Sequence, residues 1–119
     1  MTLAPEVTLE DSGEMAVAAQ YAGVPHSPGY PVWTLYAWAF TKLLPWSNVA
    51  WRVATSSAVA GALACGLVAL MVSRGSRALL AQPGLGDSMS LGWRNRLGAL
   101  AGVSSGALLG FTGFVWSQA

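Results

Sequence analysis

VATSSAVAGALACGLVALMVS, residues 53–73, runs for 21 positions without a charged side chain. At about 1.5 Å rise per residue, a helix of that length matches the roughly 30 Å hydrocarbon core of a bilayer. Further along the chain lies a second such run, LGALAGVSSGALLGFTGFVWSQA at 97–119, uncharged for 23 residues. Both are rich in Ala, Gly and Ser rather than Leu. Such segments insert less readily alone and are tolerated where helices shelter one another. A third apolar run, 31–44, is too short to span and carries Lys42. It reads as a re-entrant or interfacial helix, begun by Pro31 and ended by Pro45.

The composition agrees. Of 119 residues, 54% are hydrophobic and 9% charged, against about 25% charged in an average soluble chain. Six Lys/Arg and five Asp/Glu leave a formal charge of +1. Nucleic-acid binding needs a dense phosphate-neutralising patch, and six scattered cations do not make one. Cys65 is the single cysteine, which excludes a disulfide scaffold. The expected fold is all-α and integral to a membrane: two transmembrane helices behind an N-terminal loop with short interfacial helices.

Charge placement sets the direction. Arg74, Arg77, Arg94 and Arg96 lie between the two uncharged runs, opposed only by Asp87. Basic residues concentrate in cytoplasmic loops, so that connection, with its plain Pro83-Gly-Leu-Gly86 turn, faces the cytoplasm. Glu6, Glu10, Asp11 and Glu14 all precede the first run and face the outside or a lumen, with Lys42 and Arg52 as minority cations. The chain divides into an extracytoplasmic acidic loop with interfacial helices (1–52), a span (53–73), a cytoplasmic loop (74–96) and a second span (97–119). Met1-Thr-Leu-Ala-Pro5 has neither the basic region nor the apolar core of a signal peptide. The last span reaches Ser117-Gln118-Ala119 without a polar flank. Both features suggest a piece of a larger polytopic bundle.

Two rows of small residues recur every four positions: Gly98, Gly102, Gly106 and Gly110, and Ala54, Ala58, Ala62 and Gly66. Residues four apart share a helix face, and faces without side chains let helix backbones approach closely. These rows read as contact faces for other transmembrane helices; the second reading is a lining for a lipid chain.

The densest polar stretch is Glu10-Asp11-Ser12-Gly13-Glu14, which opens a helical run over 15–22. Asp11 followed by Glu14 fits a capping box, the first carboxylate accepting from an exposed backbone N–H and the second reaching back. An extracytoplasmic carboxylate beside a membrane is equally a candidate general base, and a cap would also fix its position. His26, the one histidine, lies in the Pro-rich loop 23–31. It reads as a hydrogen-bonded loop residue or as a substrate or phosphate contact; its spacing from the acids matches no metal-ligand signature, so no metal site and no cofactor are expected. Trp33, Trp38, Trp46 and Trp51, with Tyr30 and Tyr36, form an aromatic belt at the interface. Arg52 either snorkels to headgroups or pairs with a phosphate just outside the bilayer. No nucleophile triad, phosphate-cradling glycine loop or redox pair is present.

Taken in order, Asp11-Ser-Gly-Glu14, Gly23-Val-Pro-His26 with Pro28-Gly-Tyr-Pro31, Leu44-Pro-Trp46 and Arg52-Val53 resemble the start of the transmembrane protein 260-like family. That family comprises polytopic membrane proteins with bacterial and eukaryotic members, similar to GT-C glycosyltransferases and the protein O-mannosyltransferases. Ser27 stands where Pro is usual and Ala54 where Asn is common; neither change removes an acid. The resemblance implies the N-terminal part of a longer glycosyltransferase, inactive alone, that takes a sugar from a polyprenyl-phosphate donor to a hydroxyl of a protein or glycan acceptor. It implies Asp11 as the catalytic acid of the first extracytoplasmic loop, Glu14 as its partner or substitute, and His26, Tyr30 and Arg52 as substrate contacts. The implied location is a bacterial inner membrane or, alternatively, the endoplasmic reticulum. The rival is a small two-helix accessory subunit without catalysis, docking by its Gly and Ala faces.

Overall fold

The computed structural model describes residues 11–26, 29–85 and 87–112. Glu6, Glu10, Ser27, Pro28, Gly86 and residues 113–119, all used in reading the sequence, lie outside them. The described chain is all-helical, as expected: α1 (Ser12–Tyr21), α2 (Pro31–Leu43), α3 (Val49–Leu80) and α4 (Leu91–Gly110). It forms two compact units, Met1–Ala60 and Gly61–Ala119, with α3 continuing from one into the other.

The first unit packs α1, α2 and the first turns of α3 through small side chains. Ala19 and Ala37 are fully buried, and Val53 nearly so, with Trp33 and Val49 against them. The Tyr36 hydroxyl donates to the Ser56 carbonyl at 2.9 Å, tying α2 to α3. The buried hydroxyls return to their own helices: Thr34 to the Tyr30 carbonyl, Thr41 to Trp38 and Ser56 to Val53. This local bonding satisfies each polar group without a cross-helix partner. Pro31 opens α2 as expected. Leu44 is extended at φ −103°, because the Pro45 ring bars the preceding residue from the helical region.

α3 is longer than the uncharged run within it. At 32 residues it measures about 48 Å, well beyond a hydrocarbon core of about 30 Å. Residues 53–73 form its middle, while Arg52 lies in its first turn and Arg74 and Arg77 in its last turns. Among the described residues it alone is long and apolar enough to cross a membrane, with a mean hydropathy of 1.9. α4 starts at Leu91 rather than at 97, because the Ser90 side chain accepts from the Trp93 N–H and caps it. Arg94 and Arg96 therefore sit on its first turns instead of in a loop. The expected second span, 97–119, falls partly outside the described residues.

In the second unit the glycine row of α4 does meet a helix, the later part of α3. A Cβ built on Gly102 would lie 2.4 Å from the Ala69 carbonyl oxygen, and one on Gly106 2.9 Å from that of Cys65. Gly98 lies against Arg77 and Gly110 against the Cys65 sulfur. The facing row on α3 is therefore Cys65, Ala69, Ser73 and Arg77. The expected row ending in Ala62 and Gly66 is not the one used: both are exposed, and a Cβ on Gly66 would meet nothing within 4 Å.

Candidate functional site

Asp11 occupies the N-cap position of α1, but its carboxylate makes no capping hydrogen bond. Glu14 does not reach back to it either. Its Oε1 accepts from the His26 backbone N–H at 2.5 Å. The capping box is therefore not formed; both acids turn to the loop that returns over the start of α1. Asp11 and Glu14 are three residues apart and share a helix face. The His26 ring lies between them, Nε2 at 3.8 Å from Asp11 Oδ2 and Nδ1 at 3.4 Å from Glu14 Oε2. All three side chains are about half exposed, at 63% for Asp11, 46% for Glu14 and 43% for His26.

The loop length explains the meeting. α1 spans about 15 Å over its ten residues. It ends where Ala22 turns left-handed at φ 52° and Gly23 donates to the Ala18 carbonyl. Residues 22–26, at about 3.3–3.6 Å each, reach roughly 17 Å. The chain has just enough length to bring His26 back to the first turn. Pro25 favours that path by pushing Val24 toward an extended backbone.

Tyr30 joins the group. Its ring meets His26 edge-on, with centroids 6.3 Å apart and planes at 80°. Gly29 and Tyr30 both take positive φ, 87° and 39°. For Tyr30 that left-handed geometry costs about 1–2 kcal/mol and sets the angle at which α2 leaves the loop. A side chain on Gly29 would also strike Val24, 2.9 Å from the built Cβ.

Four of the five candidate site residues, Asp11, Glu14, His26 and Tyr30, are thus brought together. Arg52 is engaged elsewhere. Its Nε donates to the Trp46 carbonyl, Nη1 to Thr41, and Nη2 to both Pro45 and Ser47, at 2.8–3.2 Å. Four of the five guanidinium N–H donors therefore hold the turn between α2 and α3. Asn48 completes that turn by accepting from the Trp51 N–H at 2.8 Å.

An open apolar groove of about 710 Å³ is lined along α1 by Gly13, Ala16, Val17, Gln20 and Tyr21 and along the start of α3 by Val49 and Ala50. Its α1 wall begins at Gly13, between the two acids in sequence. Gln20 contributes a buried Oε1 without a hydrogen-bond partner. Reading the sequence for chemistry missed both the groove and Gln20. The Gly13, Ala16, Val17, Gln20 spacing, one helical face of small and uncharged residues, is the signal that carries them.

These features define a class first: a chain all-helical over its described residues, with a helix of membrane-spanning length, an exposed acid–imidazole cluster and an apolar groove. The family described as the Protein O-mannosyl-transferase TMEM260 N-terminal domain matches residues 11–119, and the chain belongs to it. A Dictyostelium discoideum protein named Protein O-mannosyl-transferase tmem260 is 36% identical over 74 residues, covering 60% of this chain and 9% of that protein. The Mus musculus Protein O-mannosyl-transferase TMEM260 is 41% identical over 74 residues, covering 62% of this chain and 10% of that protein. The matches thus cover about a tenth of the length of these relatives. No solved structure matches.

Proposed function

We propose that this chain is the acid-bearing N-terminal part of a membrane glycosyltransferase that moves a sugar, mannose by the relatives' names, from a polyprenyl-phosphate donor to an acceptor hydroxyl. The observation that carries the reading is the convergence of the exposed Asp11, Glu14 and His26 at the start of α1, the helix that also walls an apolar groove. Asp11 accepts the acceptor's hydroxyl proton as that oxygen attacks the anomeric carbon. The bond from that carbon to the phosphate oxygen breaks, and the lipid phosphate leaves. A placed base of this kind contributes about 10²–10⁴-fold, and the orientation of donor and acceptor supplies much of the rest. Glu14 and Tyr30 hold the His26 ring against Asp11. The groove suits the first isoprene units of the donor lipid, and Gln20 Oε1 can accept from a donor or acceptor hydroxyl.

The activity is assigned to the full-length protein, not to these 119 residues. The acid cluster faces the extracytoplasmic side, with Arg74, Arg77, Arg94 and Arg96 in the cytoplasm, and α4 belongs to the second span. Both relatives are eukaryotic, which supports the endoplasmic reticulum over the bacterial inner membrane. Family membership also counts against a free-standing two-helix subunit.

The test is Asp11→Asn in the full-length protein, assayed with a polyprenyl-phosphate mannose donor and a protein acceptor. Transfer falls at least about 100-fold while membrane insertion is unchanged. Retained transfer removes Asp11 from the role and passes it to Glu14.

A further inference from the structure

Asp11, Glu14 and His26 each present one donor atom to a common point, and the three atoms lie within 4.8 Å of one another. We propose that the cluster binds a single divalent transition-metal cation, of the Mn²⁺ or Zn²⁺ type, through one oxygen of each carboxylate and one imidazole nitrogen. The linear spacing of these residues resembles no metal motif; the short return loop after α1 creates the site. Bonds of about 2.0–2.2 Å place ligand atoms about 3.0–4.4 Å apart around one ion. Half-exposed side chains close the remaining gap by rotation of less than about 1 Å.

The donor set selects the ion. Mg²⁺ and Ca²⁺ take oxygen ligands, whereas an imidazole among carboxylates suits a first-row transition ion. Two carboxylates also match the ion's charge. The ring presents both of its nitrogens to the cluster, Nε2 toward Asp11 and Nδ1 toward Glu14, so either can be the ligand. Glu14 also holds the His26 backbone, so the imidazole is positioned from two points before any ion arrives.

Three protein ligands leave coordination positions open to water or to a phosphate oxygen. The second Asp11 oxygen stays available to an acceptor proton, so the site extends the glycosyltransferase reading without depending on it. Ion loading is measured with no donor or acceptor present, and failure of either idea leaves the other standing.

The test is Mn²⁺ titration of the full chain in detergent, followed by the electron paramagnetic resonance of the free ion. One saturable site is expected, displaced by Zn²⁺, with a nitrogen hyperfine coupling from the imidazole. His26→Gln removes that coupling, and Asp11→Asn and Glu14→Gln each weaken binding by about 10- to 100-fold. Asp87→Asn, in the loop between α3 and α4, changes nothing. Circular dichroism checks that each variant keeps its helices, and the nitrogen coupling of the unsubstituted chain decides the matter where one does not. Binding that fails to saturate, shows no nitrogen coupling or ignores all three substitutions overturns the proposal.

Discussion

Arg52 shows how far a single residue's role depends on its backbone surroundings. Its charge and position beside a span invite a partner outside the bilayer, yet its guanidinium is spent on the carbonyls of Thr41, Pro45, Trp46 and Ser47. Backbone carbonyls leave no mark in a sequence, so this clamp was not legible there. It makes Pro45-Trp46 and Arg52 parts of a single object, a turn and its clasp. Lysine keeps the charge but loses the planar fork. Arg52→Lys therefore forfeits two or more of the four bonds and costs about 1–3 kcal/mol at about 0.5–1.5 kcal/mol each. Thermal unfolding of the chain in detergent measures it. A role in phosphate binding predicts the reverse pattern, unchanged stability with weakened donor binding. The acid cluster was legible in part. The residue types were plain in the sequence, where charge placement sets an expected side of the membrane; their meeting at His26 came from a loop barely long enough to return.

At the scale of helices, small-residue rows were legible and their pairing was not. Two rows on α3 repeat every four residues, and both are narrow enough to receive a glycine face. α4 packs against Cys65, Ala69 and Ser73, and leaves Gly66 open. Which row is used depends on where the Ser90 cap starts α4 and on the turn before it, where Asp87 Oδ2 accepts from the Gly84 N–H at 2.9 Å. Neither detail follows from periodicity. The contrast gives a paired test. Gly102→Ala sets a Cβ 2.4 Å from the Ala69 carbonyl oxygen and 2.7 Å from Ser73 Cβ, which forces the helices apart at a cost of about 1–3 kcal/mol. Gly66→Ala meets open space and gains helix propensity, up to about 1 kcal/mol. Opposite shifts in the unfolding temperature are expected. Equal effects would mean that the α3–α4 contact does not support the unit.

For the whole molecule, the decisive property is where apolar surface is left uncovered. Leu63, Leu67, Leu70 and Met71 on α3 stay exposed, as do Leu100, Val103 and Leu108 on α4. Contiguous apolar surface of this kind marks a membrane or partner-facing region, and along α3 it coincides with the uncharged segment. From Arg52 to Arg74 the helix rises about 33 Å, close to the hydrocarbon thickness, so the arginines bracket the buried length. If α3 crosses a bilayer, the rest of the helix, through Arg77 to Leu80, projects beyond it. That bracket was readable from charge alone. What composition could not supply was the helix's true length, because the flanking turns are built by Asn48 capping and by polar residues that tolerate a helix without advertising one. If α3 crosses once, the loop before α2 and the loop before α4 lie on opposite sides. With Cys65 changed to Ala, Val24→Cys in the first loop and Ser88→Cys in the second report this directly in sealed microsomes. A membrane-impermeant maleimide labels Ser88→Cys from the cytoplasmic face and reaches Val24→Cys only after the membrane is opened. Labelling of both from one side would remove α3 as a crossing and, with it, the extracytoplasmic placement on which Asp11 depends.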